Sequence, residues 1–186
     1  MIIGVPKEIK LQEHRIGLTP ESVKILTSKN HEVLIQDHGG FEAGFTNEDY
    51  LIAGAKIIKT SEEIFKKAEL IVKVKEPQMN EVKMIRENQI IYTYLHLAAA
   101  KELTLGLMES KSICIAYETV TDEKGRLPLL APMSAVAGRM SVQAGAHALE
   151  KNQEGRGLLI GGAPGVDSAN VVILGGGVVG ENAAII

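Results

Sequence analysis

The chain is predicted to fold as an α/β protein: a mostly parallel sheet with helices on both faces, then the first strand, turn and helix of a truncated Rossmann unit. Three observations carry this expectation. Short runs of branched apolar residues alternate with helical segments through the first two-thirds of the 186 residues, as in a parallel sheet with crossover helices. Near the end, Val171-Val172-Ile173-Leu174 runs directly into Gly175-Gly176-Gly177-Val178-Val179-Gly180. That spacing fits the G-x-G-x-x-G dinucleotide fingerprint through Gly175, Gly177 and Gly180. Finally, 45% apolar and 23% charged residues is an ordinary globular composition.

Taken in order, Ile2–Val5 is expected to be a strand, followed by a polar loop to Leu18. Thr19 caps a helix whose first position suits Pro20, with Val23, Ile25 and Leu26 on its apolar side. Val33–Ile35 is a second strand, Thr46–Asp49 starts a short helix stopped at Gly54, and Ile57–Ile58 is a third strand. A capped helix over 60–67 leads to a strand over Leu70–Val74 that Pro77 ends. Asn80–Arg86 is read as helix, Gln89–Tyr94 as strand, Ala100–Ser110 as helix and Ile113–Ala116 as strand. The pattern then breaks at the polar turn Thr121–Arg126, and Pro128 and Pro132 follow. The expected division is therefore a substrate unit over 1–127 and, over 128–186, a long connecting helix and the beginning of a nucleotide unit. That helix is placed from Ser134 to about Asn152, with Ala137, Ser141, Ala144 and Ala148 forming a face of small side chains. Such a face lets another backbone come close.

Each fingerprint glycine has a physical task. Gly175 permits the tight turn, Gly177 lets a pyrophosphate approach bare backbone, and Gly180 lets the helix pack on its strand. The helix start then offers unpaired N–H groups and partial positive charge. The fingerprint also expects an acidic ribose ligand about 20 positions further on. The sequence stops before that position, so an incomplete nucleotide unit is expected, with Val171–Ile186 short of sheet neighbours.

A net charge of −3 gives no electrostatic footprint for nucleic acid or anionic membrane. No stretch reaches the ~18 consecutive apolar residues of a spanning helix, and the N-terminus lacks a signal-peptide pattern. The single Cys114, in the apolar run Ile113–Ala116, reads as a packing residue, and one cysteine suits a reducing cytoplasm. The residues suggest no metal site.

Ligands of an open parallel sheet gather beyond the carboxyl ends of its strands, and three side chains are expected there. Arg15 follows the first strand, Lys75 closes the strand Ile71–Lys75, and His96 follows the strand ending at Tyr94. Singly they have plain readings: a solvated loop charge, a snorkelling lysine, a core histidine. Together they make a carboxylate clamp, a second positive charge and a proton shuttle. A nicotinamide enzyme acting on an amino or keto acid requires that combination.

The phrases Val5-Pro6-Lys7-Glu8, Glu13–Pro20, Val72–Pro77, Tyr94–Ala98, Pro132-Met133-Ser134, Ala137–Met140 and Leu174–Gly180 resemble bacterial alanine dehydrogenase over the whole chain. The resemblance implies NAD-dependent oxidative deamination of L-alanine to pyruvate. It implies that Arg15 and Lys75 bind substrate, that His96 is the acid/base, and that Met133 and Ser134 lie near the cofactor with Gly175, Gly177, Val178, Val179 and Gly180. It further implies a cytoplasmic protein and a homo-oligomer, a hexamer in the family. Family members are about twice this length, so a catalytically silent fragment or assembly partner is the competing expectation. A chain resembling the transhydrogenase alpha subunit is a third, disfavoured because that relative is understood to lack a histidine matching His96.

Overall fold

The computed structural model describes residues 1–186. The chain forms two compact units, Met1–Val120 and Thr121–Ile186. The first is built on six strands: β1 (Ile2–Val5), β2 (Glu32–Gln36), β3 (Lys56–Ile58), β4 (Leu70–Val72), β5 (Ile90–Thr93) and β6 (Ile113–Ala116). All neighbouring pairs are parallel, in the order β3-β2-β1-β4-β5-β6. The order reverses between β1 and β4, which makes a crevice beyond their carboxyl ends.

Strand alternation divides the core in two. Leu34, Ile71 and Ile91 point to one face, where they meet Ile64 and Phe65 of α3 (Ser61–Lys67), Val82 of α4 (Met79–Val82), and Leu103 and Leu107 of α5 (Lys101–Ser110). Val5, Val33, Ile35 and Val72 point to the other, against Val23 of α1 (Pro20–Ser28) and Tyr50 of α2 (Asn47–Ile52). Helices therefore cover both faces, as near-continuous apolar strands require. The helix starts follow local chemistry: the Thr19, Thr46 and Thr60 hydroxyls accept from the backbone of Ser22, Asp49 and Glu63. Tyr50, fully buried, donates to the Leu18 carbonyl at 2.9 Å, and burial pushes its phenol up to about 12.

The fourth strand is shorter than expected: β4 ends at Val72, so Lys75 sits in a loop three residues beyond it. The Val74 N–H is taken by the Glu8 carboxylate at 2.6 Å and so does not extend the ladder. The helix expected over Asn80–Arg86 is the single turn α4.

The second unit contains α6 (Ala131–Ala148) and α7 (Val178–Ile185), which pack on one another. α6 begins and ends earlier than expected, and Lys151–Gln153 forms a 3₁₀ turn instead of continuing it. At Gly138 of α6, an added Cβ would meet the Val179 carbonyl and Asn182 of α7. The close approach is thus centred one residue from the alanine face expected from Ala137. A larger correction concerns Val171–Leu174, which forms no strand. Its side chains are 62%, 82%, 41% and 95% exposed. A strand apolar on both faces needs paired neighbours and covering helices, and the second unit holds no strand to pair with it. No helix in the structure is long and apolar enough to cross a membrane.

Candidate functional site

The crevice is lined by the loops that follow β1, β4 and β5, and beneath them lies a buried charged cluster. Lys73, 1% exposed, places Nζ 3.0 Å from Glu8 and 2.9 Å from Glu81. The same Glu8 carboxylate accepts the N–H groups of Val74 (2.6 Å) and Lys75 (3.3 Å), while Glu81 accepts that of Gln78 at 2.8 Å. Burial pushes the Glu81 carboxyl up, and the Lys73 charge opposes that shift. From the other side, the Thr93 hydroxyl donates to the Lys75 carbonyl at 2.9 Å. The backbone of Lys75 is therefore held from the loop after β1 and from β5 together.

Arg15 is carried over the end of β4 by a tight crossing at Gly17. A Cβ there would lie 2.6 Å from the Val72 carbonyl oxygen, so only glycine lets the loop lie this low. The guanidinium is set by Glu13: Nε donates to Oε1 at 2.8 Å and Nη2 to Oε2 at 2.6 Å. This fork geometry fixes the plane of the group. Hydrogen bonding from Arg15 lowers the Glu13 carboxyl to about 2 despite partial burial, and the positive charge of Lys75 also acts on it. Glu13 is thus the direct partner of Arg15.

His96 follows β5 in a left-handed conformation, φ 52° and ψ 36°. Few residues other than glycine adopt it, histidine among the more frequent. Glu118, beyond β6, stabilises it by accepting the N–H groups of Leu95 (3.0 Å) and His96 (2.8 Å). On its side-chain end His96 faces Glu76, with Nδ1 3.7 Å from Oε2. Glu76 is also paired with Lys10. Burial works to raise the Glu76 carboxyl, but the hydrogen bond and charge of Lys10, a backbone hydrogen bond and the charge of His96 hold it below its usual value. Tyr94, whose ring centroid is 6.2 Å from that of His96, feels the Arg15 charge. Tyr117 packs edge-on against Tyr92 and Tyr94, and burial drives its phenol far above its ordinary value. Leu95, His96, Ala116 and Glu118 line an adjoining cavity of 430 Å³.

The carboxylates and the buried lysine were absent from the residues singled out in the sequence. One signal was available. Two-residue alternation from Ile71 puts Lys73 on a buried face, where a lysine demands an anion. Nothing in the sequence identifies the anions: Glu8 lies 65 positions from Lys73, and Glu81, eight positions away, reads as an ordinary surface acid of a short helix.

In the second unit, Ser134, Gly175, Gly177, Val178, Val179 and Gly180 share the wall of a 570 Å³ cavity with apolar neighbours including Ile160 and Ile173. Met133 stands in the first turn of α6 and is 37% exposed. Gly175 has φ +100°, and Gly177 precedes α7. A Cβ on Gly180 would overlap the Gly175 carbonyl, whereas the space beside Gly175, Gly176 and Gly177 is open. The turn and the start of α7 thus fit a pyrophosphate. No group of three or more histidine, cysteine, aspartate or glutamate side chains is arranged to hold a metal ion.

The strand order and the crevice define a protein of the doubly wound α/β class. Residues 4–137 match the family described as alanine dehydrogenase/PNT, N-terminal domain, and residues 141–186 match its C-terminal domain. The chain belongs to this alanine dehydrogenase/PNT family. It is 54% identical to an alanine dehydrogenase of Halomonas elongata and 51% identical to one of Methanococcus maripaludis, in each case over 99% of the chain. Those alignments cover 50% and 49% of the relatives, so the chain spans about half the length of the curated relatives it matches. A solved L-alanine dehydrogenase, 52% identical, superposes over 100% of this chain and 51% of its own, with a TM-score of 0.89. A transhydrogenase from Sinorhizobium meliloti shares the fold over 98% of this chain and 52% of its own, with a TM-score of 0.77 at 22% identity.

Proposed function

We propose that these residues supply the substrate-binding and proton-transfer part of an alanine dehydrogenase. The reaction converts L-alanine, oxidised NAD and water into pyruvate, ammonium, NADH and a proton. One observation carries the reading: Arg15, Lys75 and His96 occupy the three loops beyond β1, β4 and β5, around the crevice where the strand order reverses. Arg15, its plane set by Glu13, grips the substrate carboxylate. Lys75 adds positive charge beside the carboxylate and the carbonyl oxygen. His96 passes protons as water adds to the substrate carbon and ammonia leaves. NAD, when bound, accepts the hydride. The open glycine turn at Gly175–Gly177 and the start of α7 would hold its pyrophosphate, with Val178, Val179, Met133 and Ser134 nearby. The reading also places the protein in the cytoplasm, in a homo-oligomer.

The test is His96→Ala in an active polypeptide containing these residues. Turnover should fall by roughly 10²–10⁴-fold while the thermal melt stays close to that of the parent. Specific activity retained in a variant that unfolds more readily would return His96 to a packing role. A second reading, that these 186 residues alone do not turn substrate over, is favoured by the absence of a strand at Val171–Leu174.

A further inference from the structure

We propose that Glu76 is a positioning residue for His96: its Oε2 accepts the Nδ1 proton of the imidazole and leaves Nε2 bare toward the crevice. The inference rests on the acid/base reading of His96 given above and adds the residue that fixes the active tautomer.

The two oxygens of Glu76 have different surroundings. Oε1 is committed to Lys10, from the loop after β1. Oε2 is buried and has no hydrogen-bond partner, an uncommon state for a carboxylate oxygen. The ring nitrogen that faces it is His96 Nδ1, at 3.7 Å. At that separation no hydrogen bond is made, yet a small rotation of either side chain makes one, and catalytic contacts of this kind commonly tighten when substrate binds.

The surrounding restraints decide which partner is free to turn. Glu76 is held on one side by Lys10, and its own carbonyl accepts from Gln78 Nε2 at 3.0 Å. His96 is held at its backbone by Glu118, leaving the ring, 55% exposed, as the moving part. Other polar groups have other engagements. Glu118 binds backbone N–H groups, Arg15 binds Glu13, Lys75 lies next in sequence with its backbone tied to Glu8 and Thr93, and Tyr94 stacks obliquely at 6.2 Å. Lys101 and Glu102 line a neighbouring cavity with Glu76. A neutral imidazole carries one proton. If that proton sits on Nδ1, Nε2 has the lone pair that a general base requires, and the other tautomer turns an N–H toward the substrate instead.

The experiment reads the tautomer directly from nitrogen-15 NMR of the neutral His96 ring in the 186-residue chain. The parent should show the Nδ1–H form, Glu76→Leu should shift the population to Nε2–H, and Glu76→Asp should restore much of the parent pattern. Glu102→Gln, on the neighbouring cavity wall, should change nothing. If Glu76→Leu fails to fold, Glu76→Met, close to glutamate in size and without an oxygen to accept the proton, takes its place and should show the same loss of preference. In an active polypeptide containing these residues, Glu76→Leu should lower kcat by roughly 10²-fold and leave the KM for pyruvate nearly unchanged. That is less than the ~10⁴ known for a fully buried aspartate behind a histidine, because this ring is half exposed. A tautomer unaltered by Glu76→Leu or, where that variant does not fold, by Glu76→Met overturns the proposal and leaves the proposed function standing. Full activity in His96→Ala would instead overturn the functional reading on which it rests.

Discussion

Arg15 acquires its orientation from a residue two positions earlier, and this contact has consequences for both substrate and pH. Arg15→Lys keeps the charge but loses the fork that meets Glu13 and, by the proposed function, the substrate carboxylate. Pyruvate affinity should fall while NADH affinity in the same protein stays nearly constant; isothermal titrations with each ligand separate the two. Glu13 carries the pH dependence. Its carboxyl is held at about 2 against an ordinary 4.5, chiefly by the Arg15 hydrogen bond. A depressed folded-state value stabilises the fold above the unfolded value, and that contribution is lost as pH falls through the folded one. The thermal midpoint difference between the parent and Glu13→Gln should therefore be constant above pH 4.5, shrink below it and close near pH 2. A difference independent of pH would mean that the ion pair contributes no net stability.

At the scale of elements, the buried Glu8–Lys73–Glu81 cluster joins the loop after β1, the loop after β4 and α4. Lys73→Met removes the cation and leaves two carboxylates buried together. Removing one partner of a buried ion pair costs about 3–5 kcal/mol, so the urea midpoint should drop by that equivalent. Replacing all three residues by apolar ones should recover only part of the loss, because the Val74, Lys75 and Gln78 N–H groups then lose their acceptors. The strands and capped helices of the first unit were readable in sequence because Thr19, Thr46 and Thr60 cap locally and the apolar runs of β1, β2 and β5 need no distant partner to be recognised. The expected position of Arg15, Lys75 and His96 beyond strand ends was also readable, and the three lie in the loops after β1, β4 and β5. The cluster was not, since Glu8 and Glu81 look like any surface acid until the sheet brings them to Lys73. Val171–Leu174 misled for the converse reason. Its composition is that of a buried strand, but a strand is a property of a pair.

On the scale of the whole molecule, nucleotide binding is the property most sensitive to that unpaired segment. The turn at Gly175–Gly180 has its helix behind it but no sheet beneath it. A phosphate cradle works by holding N–H groups in place before the ligand arrives, and without a sheet they are not so held. The 186-residue chain should bind NADH weakly, if at all, and should not oxidise alanine. A fluorescence titration decides it, and saturable micromolar binding would refute the expectation.

The floor of the crevice also bears on how the first unit folds and unfolds. Glu8 reaches Lys73 across 65 positions of chain, and Val74 and Lys75 across 66 and 67. Closing loops of that length costs entropy before any contact repays it, so such contacts form late on the folding route. A contact absent from the barrier state leaves the folding rate alone and governs the unfolding rate. In stopped-flow measurements Glu8→Gln, which alters only these long-range contacts, should accordingly speed unfolding while the refolding arm overlays that of the parent. The groups that seat the crevice loops then determine how long the folded unit lasts, and have little influence on how quickly it is made.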